Sequence, residues 1–289
     1  LNIVSHLTFK ANISNKTMFI SGIVILLTGS MIALYGTRIH AGWVPEKEEG
    51  PVEELPVEWF ASFGGSEDDI GEHVQATSDG GYIVCGYTCS YGVEESDVYL
   101  LKVNPDGTLD WNRTYGDVGG DAGRYVIETD EGYLVTGYTD EDLLLMKVNH
   151  IGELLWSRTY EGCLGYSVEE TGDGCYAIAG VSGDDALLMK TDSDGDVLWS
   201  RVYGGRGEQQ AWALKVTEEG GYIIGGITRQ NGGHWDFFVL KTDSLGEAEW
   251  SKSLGGSKGD WLYSVLEAPD GGLVCSGFRV SVNLGGGSG

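Results

Sequence analysis

The chain has 289 residues, of which 47 are glycine, and 41% of its side chains are hydrophobic. This length allows a substantial buried core, and the glycines follow no G-x-y period, which excludes collagen. With 44 acidic and 18 basic residues, the formal net charge is −26. Nucleic-acid readers present basic surfaces, so this acidity argues against a phosphate-backbone partner. The many glycines favour an all-β chain with tight turns.

The charge is unevenly distributed, because residues 1–42 carry +3 and the remainder carries −29. Residues 18–36 contain no charge, and their length is close to the ~20 apolar residues of a membrane-spanning helix and exceeds the ~7–15 of a signal-peptide core. We therefore predict a transmembrane helix over 18–36. Residues 1–17 are expected to be cytoplasmic, because two lysines precede the span. The alternative is a secretory signal cut after Ala41, and in either case the acidic part is exported.

An extended acidic stalk is predicted over residues 37–56. Three of the five prolines and six glutamates lie between Trp43 and Trp59. Proline breaks helices and sheets, and like charges repel, so this stretch is expected to hold the following domain away from a membrane. At the other end, residues 281–289 are predicted to form a flexible glycine-rich tail.

A repeat predicts the fold of the rest of the chain. Tryptophans recur at intervals of 43 to 52 residues, a period typical of solenoids, propellers and arrays; they are Trp59, Trp111, Trp156, Trp199 and Trp250. The first unit contains four runs of strand length, a to d, separated by turn residues: 72–77, 82–88, 97–103 and 108–115. Strand c is apolar on both faces in every unit, which is typical of a sheet covered on both sides.

Radially arranged four-stranded blades provide such cover. We therefore predict an all-β fold, with a β-propeller of four-stranded antiparallel blades over residues 57–280, preceded by one transmembrane helix. Four complete units span 72–254, and an a–b pair follows over 262–278. An additional strand d, over 57–63, is expected to complete this pair and close a ring of about five blades. The alternative is a chain that continues into further blades.

The repeat unit W-S-R-x-Y-G-G…D-G-G-Y-I…D-x-x-L-x-K-x-D-x-x-G-x-x-x-W resembles repeats of archaeal and bacterial cell-surface β-propellers. Its G-x-x-x-W piece is similar to the tryptophan-docking motif of quinoprotein-like propellers, and it stands at Gly107/Trp111, Gly152/Trp156, Gly195/Trp199 and Gly246/Trp250. The resemblance covers about residues 57–279. It implies an exported protein, often multi-domain, used for adhesion or interaction. It says little about activity, because propellers host many functions.

Residues present in every unit are expected to build the repeat. A cationic side chain stands two residues after each of four tryptophans: Arg113, Arg158, Arg201 and Lys252. These side chains are predicted to cover tryptophan faces and to pair neighbouring blades. The alternative is a polyvalent charged site.

Residues that break the repeat are better candidates for function. The b–c loops are long in the first and fourth units only, and in a blade they emerge beside the d–a loops. Together these loops define a loop face that suits a protein, a glycan or a cation. The predicted face consists of Tyr91, Asp69, Asp121, Gln209, Arg229, Asn231, His234, Trp235 and Asp260. The alternative is that these solvated loops vary freely.

Three aspartates in one c–d turn have the oxygen spacing of a calcium loop: Asp192, Asp194 and Asp196. The same turn in the second and fourth units lacks the middle acid, and Asp and Gly suit such a turn without a metal. The sequence therefore predicts no cofactor, and calcium at this turn is the alternative.

No set of nucleophile, base and orienting group stands out, and five cysteines without C-x-x-C spacing do not support zinc. The predicted function is a membrane-anchored, extracellular interaction, adhesion or scaffold module that is not an enzyme. The expected partners are the membrane, through residues 18–36, and a protein or glycan on the loop face. The alternative function is a secreted propeller enzyme, either a glycan hydrolase or a quinone-cofactor dehydrogenase.

Overall fold

The computed structural model describes residues 18–28, 31–41, 59–92, 95–140, 142–205, 207–229, 233–256, 258–268 and 272–279. All of the regular secondary structure in these ranges is β-strand, which confirms the prediction for the propeller but not for residues 18–36. Consequently, none of the described residues belongs to a helix long and apolar enough to cross a membrane. The predicted segments 1–17 and 281–289, and the predicted stalk from residue 42 onward, lie outside the described residues.

The first sheet occupies the place of the predicted transmembrane helix. Its strands are β1 (Met18–Thr28), β2 (Met31–Ala41) and β3 (Trp59–Phe63), in the order β1–β2–β3. The prediction of a helix over 18–36 is corrected here, and β2 also extends into the first residues of the predicted stalk. The physical reason is that an apolar run satisfies its backbone by strand pairing as well as by helix formation, and this run is rich in isoleucine.

Four complete blades follow, each an antiparallel sheet with its strands in chain order. The first contains β4 (Asp69–Ala76), β5 (Tyr82–Thr88), β6 (Asp97–Val103) and β7 (Leu109–Tyr115). The second contains β8 (Asp121–Thr129), β9 (Gly132–Thr139), β10 (Asp142–Asn149) and β11 (Leu154–Tyr160). The third contains β12 (Cys163–Glu170), β13 (Tyr176–Ser182), β14 (Asp185–Thr191) and β15 (Val197–Tyr203). The fourth contains β16 (Glu208–Val216), β17 (Tyr222–Arg229), β18 (Asp236–Thr242) and β19 (Ala248–Leu254).

The last sheet pairs β20 (Asp260–Glu267) with β21 (Leu273–Arg279) and packs on the fourth blade. We predicted that the strand beginning near Trp59 would complete this sheet. The structure instead pairs β3 with β2, with Trp59 opposite Gly36, so the predicted closure is wrong in its strand pairing. The reason is that β2, which the sequence assigned partly to a membrane span and partly to the stalk, takes the edge of β3. The fold is therefore four complete blades flanked by two partial sheets.

The core lies between neighbouring blades. The c strand β6 is buried along its whole length, and the c strands of the other three blades are buried at most positions. Leu100 of the first blade packs with Val126 and Val135 of the second. The d strands are exposed at most positions, whereas the a strands of consecutive blades contact each other. Strand a is therefore innermost and strand d outermost.

Every a strand contains one β-bulge, because its register with strand b skips a single residue. The skipped residues are Glu72, Arg124, Tyr166, Trp212 and Tyr263. A bulge changes the direction in which a side chain points and is a recurrent feature near binding sites. These five residues are called the inner bulge row below.

Candidate functional site

The repeated tryptophans and glycines join one blade to the next. Trp156 lies against Gly195 of the following blade, where a Cβ would be only 3.0 Å from the indole, and Gly195 has a φ of +83°. The same packing places Trp59 on Gly107, Trp111 on Gly152 and Trp199 on Gly246. Each pair needs glycine for both its backbone conformation and its lack of a side chain.

Cationic side chains cover these tryptophans on their own strands. The charged atoms of Arg113, Arg158 and Lys252 lie 5.9, 5.8 and 5.4 Å from the ring centroids of Trp111, Trp156 and Trp250. The sequence predicted this cover for these three cations and also for Arg201, which instead forms an ion pair of 2.7 Å with Glu247 of the following blade. These cations therefore have a structural role in the repeat.

The lysines of strand c are also used within the fold. Lys102 forms an ion pair of 2.8 Å with Asp79, and Lys190 forms one of 2.6 Å with Asp173. Each aspartate stands in the a–b turn of the same blade. The hydrogen bond from the lysine holds the pKa of both Asp79 and Asp173 well below its usual range. Lys147 is nearly buried and donates to Glu131 and to the Tyr176 hydroxyl.

Four residues predicted for the loop face are buried instead of presented to solvent. Asp69, Asp121, Gln209 and Asp260 are each at most 6% exposed. They occupy equivalent positions in strand a, and the three aspartates accept a backbone N–H from the preceding d–a loop: Gly65 to Asp69, Asp117 to Asp121, and Gly256 to Asp260. Gln209 donates to Thr228 on the neighbouring strand. Their geometry is that of loop anchors.

The environments of two of these carboxylates differ. Asp69 accepts hydrogen bonds from the Thr88 hydroxyl, the Ser90 hydroxyl and the Gly65 N–H. Asp121 lies beside Asp117 and Asp97, and burial raises its pKa above the usual value. A neutral side chain therefore suits the position of Asp121 better than that of Asp69, and Gln209 shows that the fold accepts an amide there.

The remaining predicted residues form two exposed clusters on different blades. Tyr91 is 46% exposed, and its hydroxyl donates to the Gly64 carbonyl over 2.9 Å. On the fourth blade, the guanidinium of Arg229 forms an ion pair with Glu208 and lies 4.7 Å from the ring centroid of Trp235. His234 is exposed nearby, whereas Asn231 lies outside the described residues. Two complete blades separate the clusters along the repeat, so the structure does not show them as one site.

The predicted calcium turn is held by its own backbone. Asp192 Oδ1 accepts the N–H groups of Asp194 and Asp196 over 3.0 and 2.8 Å. In the preceding blade the neutral Asn149 accepts the equivalent N–H groups of Ile151 and Glu153. No group of three metal-binding side chains with suitable geometry occurs among the described residues. The turn therefore forms without a metal, and calcium stays a prediction.

The inner bulge row is a feature that sequence reasoning missed. Arg124 forms an ion pair of 2.6 Å with Glu72 of the preceding blade and lies 5.2 Å from the ring centroid of Tyr138. Further along, the ring centroids of Tyr166 and Trp212 are 6.3 Å apart, and those of Trp212 and Tyr263 are 5.4 Å apart. The sequence did contain a signal for this row. In every unit, a residue that varies between units stands two positions before a valine or leucine of strand a.

The fold and these sites define the class of protein: the chain is a β-propeller repeat protein. Solved propellers support this. The Dos1 propeller superimposes with a TM-score of 0.51 at 12% identity, covering 84% of this chain and 63% of its own. Sqt1 from Chaetomium thermophilum superimposes with a TM-score of 0.52 at 13% identity, covering 90% of this chain and 63% of its own. The chain thus spans less than two thirds of either neighbour.

Comparisons of sequence add little about the particular protein. No protein-family model matches the chain. An uncharacterized protein of Aquifex aeolicus (strain VF5) is 38% identical over 61 residues, which is 21% of this chain and 17% of that protein. The similarity is therefore restricted to a small part of each chain.

Proposed function

We propose that this propeller is an interaction module that binds a protein partner through the loop face of its fourth blade. The observation that carries the proposal is the stacking of Arg229 on Trp235, with Glu208 completing the cluster. Arginine and tryptophan are the residue types that contribute most to protein–protein affinity. Their side chains are already ordered by these contacts, so binding immobilises less additional side-chain freedom.

The chemistry of the cluster favours a protein over a glycan on this face. The Arg229 guanidinium covers one face of the Trp235 ring, which leaves at most one face on which a sugar could stack. The repeated cations elsewhere are engaged by the fold, as with Lys102 on Asp79 and Lys190 on Asp173. On the loop face of the fourth blade, Arg229 and Trp235 therefore present a cation and an aromatic ring that do not belong to the repeat.

A photo-crosslinking residue in place of His234, which is exposed beside Trp235, tests this proposal in the native cell. We expect it to crosslink to one defined protein and the crosslink to be lost when Arg229→Glu is added. The control is the same residue in place of Val202, which is 52% exposed on the outer strand β15. Equal crosslinking from both positions, or none from position 234, would contradict the proposal.

The cellular location is a separate proposal based on the sequence. An uncharged run precedes a domain of strongly negative charge, and the repeat resembles cell-surface and quinoprotein-like propellers. We propose that the propeller is extracellular and attached to a membrane. Residues 18–28 and 31–41 form the paired strands β1 and β2 in the structure, so no transmembrane helix is proposed for them.

Cell fractionation distinguishes a membrane-attached chain from one that is cleaved and released. An anchor predicts that the full chain resists alkaline carbonate extraction of membranes, whereas cleavage after Ala41 releases a chain that begins at Gly42. An impermeant amine reagent should label Lys252, which is exposed, on intact cells. A full-length chain that is extracted by carbonate and protected from the reagent would contradict both export routes.

A further inference from the structure

The outer strand of the first blade contains an asparagine that breaks the repeat. Asn112 follows the docking tryptophan of β7, and with Thr114 it completes an N-x-T pattern, which is the acceptor sequence of N-glycosylation. Asparagine is depleted in β-strands, so strand formation does not explain its presence. The residue at this position is serine in the other three complete blades: Ser157, Ser200 and Ser251.

The two acceptor residues share the free face of β7. Successive side chains of a strand point to opposite faces, so Asn112 and Thr114 lie on one face and Trp111 on the other. The face of Trp111 is used by the repeat, because its ring docks on Gly152 of the next blade. Asn112 and Thr114 are both exposed. The repeat therefore leaves the amide and the hydroxyl on the same exposed face.

The position of β7 in its sheet makes this face accessible to a modifying enzyme. The strand order β4–β5–β6–β7 places β7 at the outer edge of the blade. An enzyme can approach Asn112 there without unfolding the blade, and a bulky group attached to it displaces no core side chain. Edge strands are prone to pair with other chains, and a covering group prevents such pairing.

We propose that Asn112 carries an N-linked oligosaccharide. The donor is a lipid-linked oligosaccharide phosphate, used by a membrane-bound transferase on the exported side. The Nδ2 atom of Asn112 forms a bond to the anomeric carbon of the first sugar. The bond from that carbon to the lipid phosphate breaks, the phosphate leaves with the bonding electron pair, and the amide loses one proton.

This inference rests on the proposed extracellular location, because the acceptor must reach the compartment that holds the donor. It does not depend on the partner proposed for the Arg229–Trp235 cluster. That cluster belongs to the fourth blade, and two complete blades separate it from β7. An oligosaccharide on β7 therefore leaves the loop face of the fourth blade open.

The test is mass spectrometry of the full chain purified from the native cell, by intact mass and by sequencing of the peptide that contains Asn112. We expect an oligosaccharide on this peptide and its complete loss in Asn112→Ser. This variant should fold, because serine occupies the same position in the other complete blades. Thr114→Val should also lose the modification, whereas Thr114→Ser should retain it, because the acceptor sequence requires a hydroxyl at that position.

The second blade allows a variant that gains a site. Ser157 and Thr159 are exposed at the positions equivalent to the acceptor pair of β7. Ser157→Asn creates the same N-x-T pattern on β11 and should add a second oligosaccharide. In β15 the hydroxyl position is occupied by Val202, so Ser200→Asn is the matched control and should add none.

An unmodified native chain would overturn the proposal. Labelling of Lys252 by the impermeant amine reagent then shows whether export failed as well, because a chain that is labelled but unmodified is exported without being glycosylated. An oligosaccharide that persists in Asn112→Ser or in Thr114→Val would also overturn the assignment to this site.

Discussion

The hydroxyl of Tyr115 donates a hydrogen bond of 2.6 Å to the carbonyl of Gly152, a residue of the following blade. Tyr203 and Gly246 are joined in the same way over 2.6 Å, and Tyr160 and Gly195 over 2.5 Å. In the first three blades, the tyrosine at the end of the d strand therefore fastens the same turn on which the tryptophan docks. Cohesion between blades depends on this repeated contact.

Loss of one such hydrogen bond should have a measurable cost. Tyr115→Phe is expected to lower the free energy of unfolding by about 1 kcal/mol, because it removes a half-buried hydrogen bond and keeps the ring. Tyr263→Phe is the control, since that hydroxyl belongs to an exposed side chain. Denaturant unfolding measures both. Equal stability of Tyr115→Phe and the parent chain would show that this hydrogen bond does not contribute measurably to the free energy of unfolding.

Two alanine variants separate the contribution of tryptophan docking to stability from the strain of an alanine at a positive φ. Gly195→Ala combines a φ of +83° with a Cβ only 2.9 Å from Arg158 Cγ and 3.0 Å from Trp156. Gly174→Ala has a φ of +74° with nothing within 4 Å. Both should lose the roughly 1–2 kcal/mol of a left-handed alanine. Gly195→Ala should lose about 1 kcal/mol more because the indole is displaced. Identical losses would contradict the docking role.

Two of the three anchoring aspartates, Asp69 and Asp121, should respond differently to replacement by asparagine. Asp121→Asn is expected to leave stability unchanged or slightly raised at pH 7, because burial raises the pKa of Asp121 and disfavours its charge. Asp69→Asn should cost about 1–3 kcal/mol, because the carboxylate accepts three hydrogen bonds that a side-chain amide satisfies only in part. The midpoints of chemical denaturation give the comparison. A larger loss for Asp121→Asn than for Asp69→Asn would reverse this assignment.

His73 should make stability depend on pH below neutrality. Burial lowers its pKa from 6.5 to about 4, and its ring stacks on Tyr125 at 3.6 Å between centroids. The unfolded chain therefore binds a proton at higher pH than the folded chain. The contribution is fully present above pH 6.5 and is lost as pH falls towards 4, at about 1.4 kcal/mol per pKa unit of the shift. NMR titration of the imidazole measures the pKa.

A control variant separates the pH dependence caused by His73 from that caused by other titratable groups. His73→Phe keeps a ring against Tyr125 and should flatten the stability profile between pH 4 and 6.5. Its absolute stability should fall slightly, because the Val126 N–H loses the imidazole nitrogen that accepts it. An unchanged slope in that window would assign the pH dependence to other groups.

The Asp173–Lys190 pair should contribute stability in a lower pH window. The hydrogen bond from Lys190 holds the pKa of Asp173 below its model-peptide value of 3.8, so the unfolded chain protonates first as pH falls. The contribution is present above this value and is lost on further acidification. Because Asp173 is largely exposed, Asp173→Asn should cost only about 0.5–1 kcal/mol at pH 7. It should reduce the acid dependence below pH 4, which acid titration of unfolding measures.

The sequence by itself determined the blades and the contacts between them. Glycines stand four residues before four of the five repeat tryptophans, and the c strands are apolar on both faces. This pattern favours stacked sheets, because the repeat has no helical period from which covering helices could form. The tertiary structure decided three further points. It paired β3 with β2, because an apolar run such as 18–36 satisfies its backbone as either helix or strand and length alone does not distinguish them. It buried Asp69 and Asp121, because each is hydrogen bonded to a loop whose path the sequence does not reveal. It brought Tyr166, Trp212 and Tyr263 together, because a bulge shifts the strand period by one residue and only the register of paired strands shows where that shift occurs.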